Sequence, residues 1–256
     1  MRHAPVTPNG DLIRWIEVPG SGPRTRLYLH GLGASSPTYW AAAAAHPLLV
    51  GHRSLLLDLL GFGISDRPAD FDYTMEEHAD AVALALRAAG VSGAEVVAHS
   101  LGGAVAILLA ARHPELVSRL VLVDSVLDPA PPMPTPGSGG IASYTEQEFL
   151  AHGWAETEAR VGPVWWATMR LAGREALYRT TVHRGRGTVP ALREQLAGLP
   201  HPRTFLYPQA DGVPAGAAEL EAAGVVLRAV PECGHNIMFD NPEAFAQATA
   251  DALAGR

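Results

Sequence analysis

Val96-Val97-Ala98-His99-Ser100-Leu101-Gly102-Gly103 is a short apolar, β-branched run that passes without a spacer into small residues and then into an apolar, helix-forming stretch ending near Arg112. Such a passage places a serine on a sharp strand-to-helix turn. The turn lifts the hydroxyl clear of the backbone only where the flanking residues are too small to clash. Ala98 and Gly102 meet that condition, although the usual small-x-Ser-x-Gly pattern begins with glycine, so Ala98 is expected to add some strain. The plainer reading of Ser100 is an ordinary helix N-cap.

Short apolar runs recur on both sides of this turn. Ile13 to Val18, Arg26 to Leu29, Ser54 to Leu57, Glu95 to Ala98, Leu120 to Val123, Thr204 to Tyr207 and Val225 to Val230 read as strands, the first in an antiparallel edge hairpin. Amphipathic stretches separate them. Thr74 with Glu77 forms a capping-box pattern ahead of a helix that ends near Gly90, and Asn241-Pro242-Glu243 opens a terminal helix to about Leu253. Alternating strands and helices imply an α/β fold with a mainly parallel sheet and helices on both faces. The rhythm breaks between Val126 and Val189. Asp128 to Gly140 is dense in proline and glycine, and Trp154, Trp165, Trp166 and Met169 follow. The expected organisation is therefore a core of residues 1–125 and 190–256 with a helical cap insertion at 126–189.

Composition bounds the function. The chain has 256 residues, 48% of them hydrophobic and 18% charged, with a formal charge of −7. That balance is globular, and the negative charge argues against nucleic acid as a partner, because nucleic-acid affinity rests on clustered positive charge. No segment approaches the run of apolar residues needed for a membrane span, and the N-terminus lacks a signal-like apolar run, so a cytoplasmic protein is expected. Cys233 is the single cysteine, which excludes an intramolecular disulfide and cysteine-rich zinc patterns. All 19 basic side chains of the Lys+Arg class are arginine. With no lysine, Schiff-base chemistry and a Ser-Lys dyad are excluded, since arginine does not release its proton.

A serine hydroxyl needs a neighbouring base to act as a nucleophile. Glu232-Cys233-Gly234-His235-Asn236 falls in the loop after the last strand, where such a base is expected, and His235 is the candidate. His99 adjoins Ser100 in sequence and is read as structural. The carboxylate that orients the imidazole is expected at a strand end. Asp211 follows the Thr204–Tyr207 strand and is the first choice; Asp124, at the end of the strand after the nucleophile helix, is the rival. Backbone donors for a developing oxyanion are expected from the Leu101 amide and, in His30-Gly31-Leu32-Gly33, from the Leu32 amide.

With Leu29-His30-Gly31-Leu32-Gly33, Asp58-Leu59-Leu60-Gly61-Phe62-Gly63-Ile64-Ser65, the Ser100 turn and Gly234-His235 in register, the chain resembles the α/β-hydrolase superfamily over nearly its full length. The Asp58–Ser65 stretch is similar to a turn whose role in that family is structural. Pro208 departs from the glycine that many relatives carry three residues before the acid. The resemblance implies a serine hydrolase with Ser100, Asp211 and His235 as catalytic residues, no cofactor and no metal, acting on a small, largely uncharged ester-like substrate. Lactone, thioester or carbon–carbon bond hydrolysis and acyl transfer use the same groups, and a ligand-binding protein on the same frame is the alternative of another class.

Overall fold

The computed structural model describes residues 1–129 and 138–255. Most of the proline-rich connector expected at Asp128 to Gly140, including Pro131, Pro132, Pro134, Pro136 and Gly137, lies outside the described residues.

Eight strands form one sheet: β1 (Arg2–Pro5), β2 (Leu12–Val18), β3 (Thr25–Leu29), β4 (Arg53–Asp58), β5 (Ala94–His99), β6 (Val117–Val123), β7 (Arg203–Pro208) and β8 (Val225–Val230). Their spatial order is β1-β2-β4-β3-β5-β6-β7-β8. The β1–β2 and β2–β4 pairings are antiparallel and the remaining five are parallel. The sequence runs identify every strand but β1, which is short, contains a proline, and holds its place through pairing with β2.

The central strands are mostly apolar because both faces of the sheet are covered, and the buried Arg26 of β3 and Glu95 of β5 pair with each other at 3.1 Å. Successive side chains alternate sides. Leu27, Leu29, Leu55, Leu57, Val96 and Ala98 face one core with helices α2 (Met75–Ala88) and α3 (Leu101–Arg112). Tyr28, Leu56, Val97 and Val121 face the other, with Trp40 of α1 (Ser36–Ala45) and, from the C-terminal helix at Pro242–Ala254, Phe245. At the head of α2 the Thr74 hydroxyl accepts from the Glu77 amide and the Glu77 carboxylate accepts from the Thr74 amide, both at 3.1 Å. A reciprocal cap of this kind stabilises a helix by about 1 kcal/mol.

Between β6 and β7 the described chain is helical. It comprises a 3-10 turn at Ser138–Ser143, α4 (Glu146–Glu148), which winds through Phe149–Gly153 into α5 (Trp154–Arg160), then α6 (Pro163–Met169), α7 (Arg174–Arg186) and α8 (Leu192–Gly198). Helices α9 (Ala217–Ala222), α10 (Ile237–Asp240) and α11 (Pro242–Ala254) complete the chain. Among the described residues no helix is long and apolar enough to cross a membrane.

Candidate active site

The parallel strands β3, β5 and β6 end side by side, and the residues that follow them build the site. Ser100 leaves β5 with φ 51° and ψ −117°, a conformation that costs an L-residue about 1–3 kcal/mol. The turn is held open from three sides. The Ser100 amide donates to the Val123 carbonyl at 3.0 Å, while the Ser100 carbonyl accepts from the Gly103 and Val126 amides at 3.0 and 3.1 Å. Gly102 is obligatory: a Cβ there would stand 2.5 Å from the His30 carbonyl oxygen. Ala98 sits fully buried in regular register opposite Leu29, and the strain at the turn is carried by the backbone of Ser100.

His235 follows β8 and lines two cavities with Ser100. Its Nδ1 lies 2.6 Å from Oδ2 of Asp124. The expectation that Asp211 would hold this ring is corrected here. Strand β7 runs on through Pro208, which pairs with Val230, and the 3-10 turn Gln209–Asp211 then leaves Asp211 exposed and with no hydrogen bond to His235. Asp124 extends the β6–β7 ladder by one bond, its amide donating to the Leu206 carbonyl at 2.8 Å. It then turns at φ 40°. Positive φ is uncommon for a residue other than glycine, and Ser100, Asp124 and Glu232 of the His235 loop all adopt it. No hydrogen bond joins Ser100 Oγ to His235 in this state, in which the imidazole side chain is 55% exposed.

The loop after β3 is set by His30, which is fully buried. Burial pushes its pKa below the ordinary histidine value, so the ring is neutral. Nε2 accepts from the Leu59 amide at 3.1 Å, which leaves the proton on Nδ1 to be donated to the Gly31 carbonyl at 2.7 Å. The carbonyl of Gly31 and the N–H of Leu32 belong to one planar peptide and point opposite ways. Holding the first toward His30 therefore turns the second away from it, and Leu32 and Leu101 line one cavity with Ser100. Asp58 is structural, as its turn-like sequence suggested: its carboxylate accepts from the Ser36 and Ile64 amides at 2.5 and 2.8 Å and from the Ser35 hydroxyl at 3.0 Å.

Two chambers open on Ser100. The larger, about 710 Å³, is walled by Tyr39, Phe239 and, from α6, Val164, Trp165 and Ala167. Trp165 donates through Nε1 to the Leu32 carbonyl at 3.1 Å, tying α6 to the loop after β3. Trp166 and Met169 of the same helix are anchors: Trp166 packs on Trp154 with ring centroids 5.2 Å apart, and the Met169 side chain is fully buried. The smaller chamber, about 310 Å³, is lined by Asp124, Ser125, Asp128 and Arg184 beside Ser100 and His235. Asp128 is paired with Arg193 at 2.5 Å. Arg184 has no hydrogen-bond or ion-pair partner among the described residues, its Nε is buried, and desolvation lowers its pKa. The sequence reading missed Arg184. Its signal was present, since Leu177, Thr181 and Arg184 recur at helical spacing on the buried side of α7, where a charge is out of place.

A family model described as alpha/beta hydrolase fold matches residues 27–171, more than half of the chain. Over 244 residues the chain is 28% identical to a 2-hydroxymuconate semialdehyde hydrolase of Pseudomonas putida, covering 89% of this chain and 86% of that protein. Among solved structures it resembles the enol-lactonase of Burkholderia xenovorans, with a TM-score of 0.76 and 20% identity over 99% of this chain and all of that one. An esterase of Exiguobacterium antarcticum has a TM-score of 0.73 and 21% identity over 98% of each chain. At such identities these two likenesses are of fold alone.

Proposed function

Because the chain belongs to the alpha/beta hydrolase fold family, we propose that it hydrolyses an acyl bond through Ser100, in a small substrate that carries a carboxylate. The observation that carries this reading is the convergence on one cavity of Ser100, the Asp124-held His235 and Arg184, which has no partner among the described residues.

Nδ1 of His235 donates to the Asp124 carboxylate, which leaves Nε2 as the basic nitrogen. As Ser100 Oγ attacks the substrate carbonyl carbon, Nε2 takes the hydroxyl proton. The carbonyl oxygen becomes an oxyanion and accepts from the Leu32 and Leu101 amides. Collapse of the adduct breaks the acyl bond, and the imidazolium returns its proton to the departing group. Water then repeats the sequence on the acyl-enzyme and frees the acid.

Arg184 changes the expectation of a largely uncharged substrate. A half-buried guanidinium without a counter-ion is costly, and a substrate carboxylate supplies the paired, charge-assisted contact that no described residue gives Arg184. The apolar chamber bounded by Trp165 and Phe239 suits the rest of the molecule. A carboxylic ester or lactone is the first reading of the bond. Carbon–carbon cleavage is the second, favoured by the likeness along most of both chains to a 2-hydroxymuconate semialdehyde hydrolase.

The test is a panel of matched esters, lactones and β-diketones with and without a terminal carboxylate. Higher kcat/KM for the carboxylate members supports the reading. Uniform preference for the neutral members contradicts the Arg184 assignment, and cleavage of the diketones alone selects the second bond type.

A further inference from the structure

His99 is the last residue of β5, immediately before Ser100, and is 2% exposed. Nε2 lies 2.9 Å from the backbone carbonyl oxygen of His235, and the two imidazole rings are 4.6 Å apart, centroid to centroid. A carbonyl oxygen only accepts, so Nε2 carries the proton. Burial pushes the pKa of His99 down to about 3, which keeps the ring neutral, so Nδ1 is a bare lone pair. That atom is buried beside Gly31 without a hydrogen-bond partner among the described residues. His99 thus makes one directed hydrogen bond, and makes it to the residue that serves as base.

Apart from the pairing of the His235 ring with Asp124 at 2.6 Å, which ties it to the residue after β6, the His235 loop has few other ties. The Gly234 amide donates to Asp240 at 2.9 Å, Asn241 donates to the Pro231 carbonyl at 2.9 Å, and Glu232 sits at φ 52°. Those contacts hold the loop to its own end of the chain. Only the His99 bond runs from it to the strand that presents the nucleophile, among the hydrogen bonds of the described residues.

We propose that His99 is a positioning residue, which holds the carbonyl of His235 from the strand end that presents Ser100 and so sets the distance between nucleophile and base. This rests on the reading of Ser100 and His235 given above. A displacement of the base of about 1 Å lowers turnover by about 100-fold without loss of the binding contacts. The effect therefore falls on kcat and leaves KM nearly unchanged.

Glutamine and asparagine at this position separate the positioning bond from general packing. Glutamine carries its amide nitrogen near the place of Nε2 and can donate to the His235 carbonyl; asparagine carries its own near Nδ1, where no acceptor waits. With p-nitrophenyl acetate as probe, His99→Gln is expected to keep kcat within about fivefold of the parent, while His99→Asn and His99→Phe lose about 100-fold in kcat at similar KM. The rate of labelling by a fluorophosphonate should follow the same order, and thermal unfolding should not. Equal kcat for the glutamine and asparagine variants, or losses that track melting temperature, would overturn the proposal; these two polar variants decide the matter even where His99→Phe does not fold. Ser100→Ala, assayed alongside, separates the two levels. An inert Ser100→Ala with equal Gln and Asn variants defeats the His99 proposal alone, whereas an active Ser100→Ala removes the reading beneath it and the proposal with it.

Discussion

Oδ2 of Asp124, at the end of β6, stands 2.6 Å from Nδ1 of His235, while Asp211, at the end of β7, is exposed and makes no hydrogen bond to that ring. If this pairing orients the base, Asp124→Asn should lower kcat on the order of 10⁴-fold, because an amide in that place favours the wrong tautomer of His235. Asp211→Asn should stay within a few-fold of the parent. Steady-state kinetics on both, with circular dichroism to verify folding, checks the assignment. A crippled Asp211→Asn beside a nearly normal Asp124→Asn would reverse it.

Arg184 is expected to act on one class of substrate. Arg184→Gln should cost about 10- to 100-fold in kcat/KM on carboxylate-bearing esters, the worth of a charge-assisted hydrogen bond, and at most threefold on their neutral counterparts. Its melting temperature should hold or rise, since the substitution removes a half-buried charge that has no partner among the described residues. Equal losses on both substrate classes, or a marked fall in stability, would count against the assignment.

Trp165 and Trp166 are neighbours in sequence with different duties. Trp165 walls the larger chamber, so Trp165→Ala should move the optimum of a p-nitrophenyl ester series to longer acyl chains, each newly buried methylene contributing about 0.8 kcal/mol. Trp166→Ala should leave that optimum in place and instead lower stability by about 0.5–3 kcal/mol, because its ring packs on Trp154. A length profile unmoved by Trp165→Ala would take α6 out of the substrate pocket.

Acid should unfold this protein through its buried histidines. Burial holds His78 and His99 at pKa values of about 3, against about 6.5 in an unfolded chain, and lowers that of His30 as well. The unfolded state therefore binds more protons below pH 6.5. Their contribution to stability is complete above that pH and is lost as the pH falls toward 3, by up to about 1.4 kcal/mol per pH unit for each ring. Urea unfolding between pH 7 and pH 4 measures the slope. His78→Gln, which can still reach the Thr180 hydroxyl that His78 meets at 3.1 Å, should flatten it, and an unchanged slope would contradict the neutral burial of that ring.

The fold could be read from the chain because its signals are local. The apolar runs of β3 to β8, the Thr74 cap and the small residues about Ser100 each report on a few neighbouring positions, and the sheet follows from their alternation. Helix α1 was missed because Ser36 to Ala45 opens with Ser-Pro-Thr and closes in a run of alanines, so it carries almost no amphipathic period, and which of its residues are buried is decided by the sheet beneath it. The choice between Asp124 and Asp211 was not local either. Both follow strands, and only the path of the chain after Pro208, together with the positive φ of Asp124, brings one to the imidazole. The contact of His99 is to a backbone atom of His235, which no side-chain motif records, and although the helical spacing of Arg184 with Leu177 and Thr181 could be read, its place in the Ser100 cavity depends on how α7 packs.

The central claim is that Ser100 is a nucleophile activated by His235. Intact-mass spectrometry after treatment with a fluorophosphonate, followed by peptide mapping, tests it directly. One covalent adduct on Ser100 is expected, lost in Ser100→Ala and formed at least about 100-fold more slowly in His235→Ala. An unlabelled parent protein, an adduct on another residue, or labelling of Ser100 at an unchanged rate in His235→Ala would contradict it.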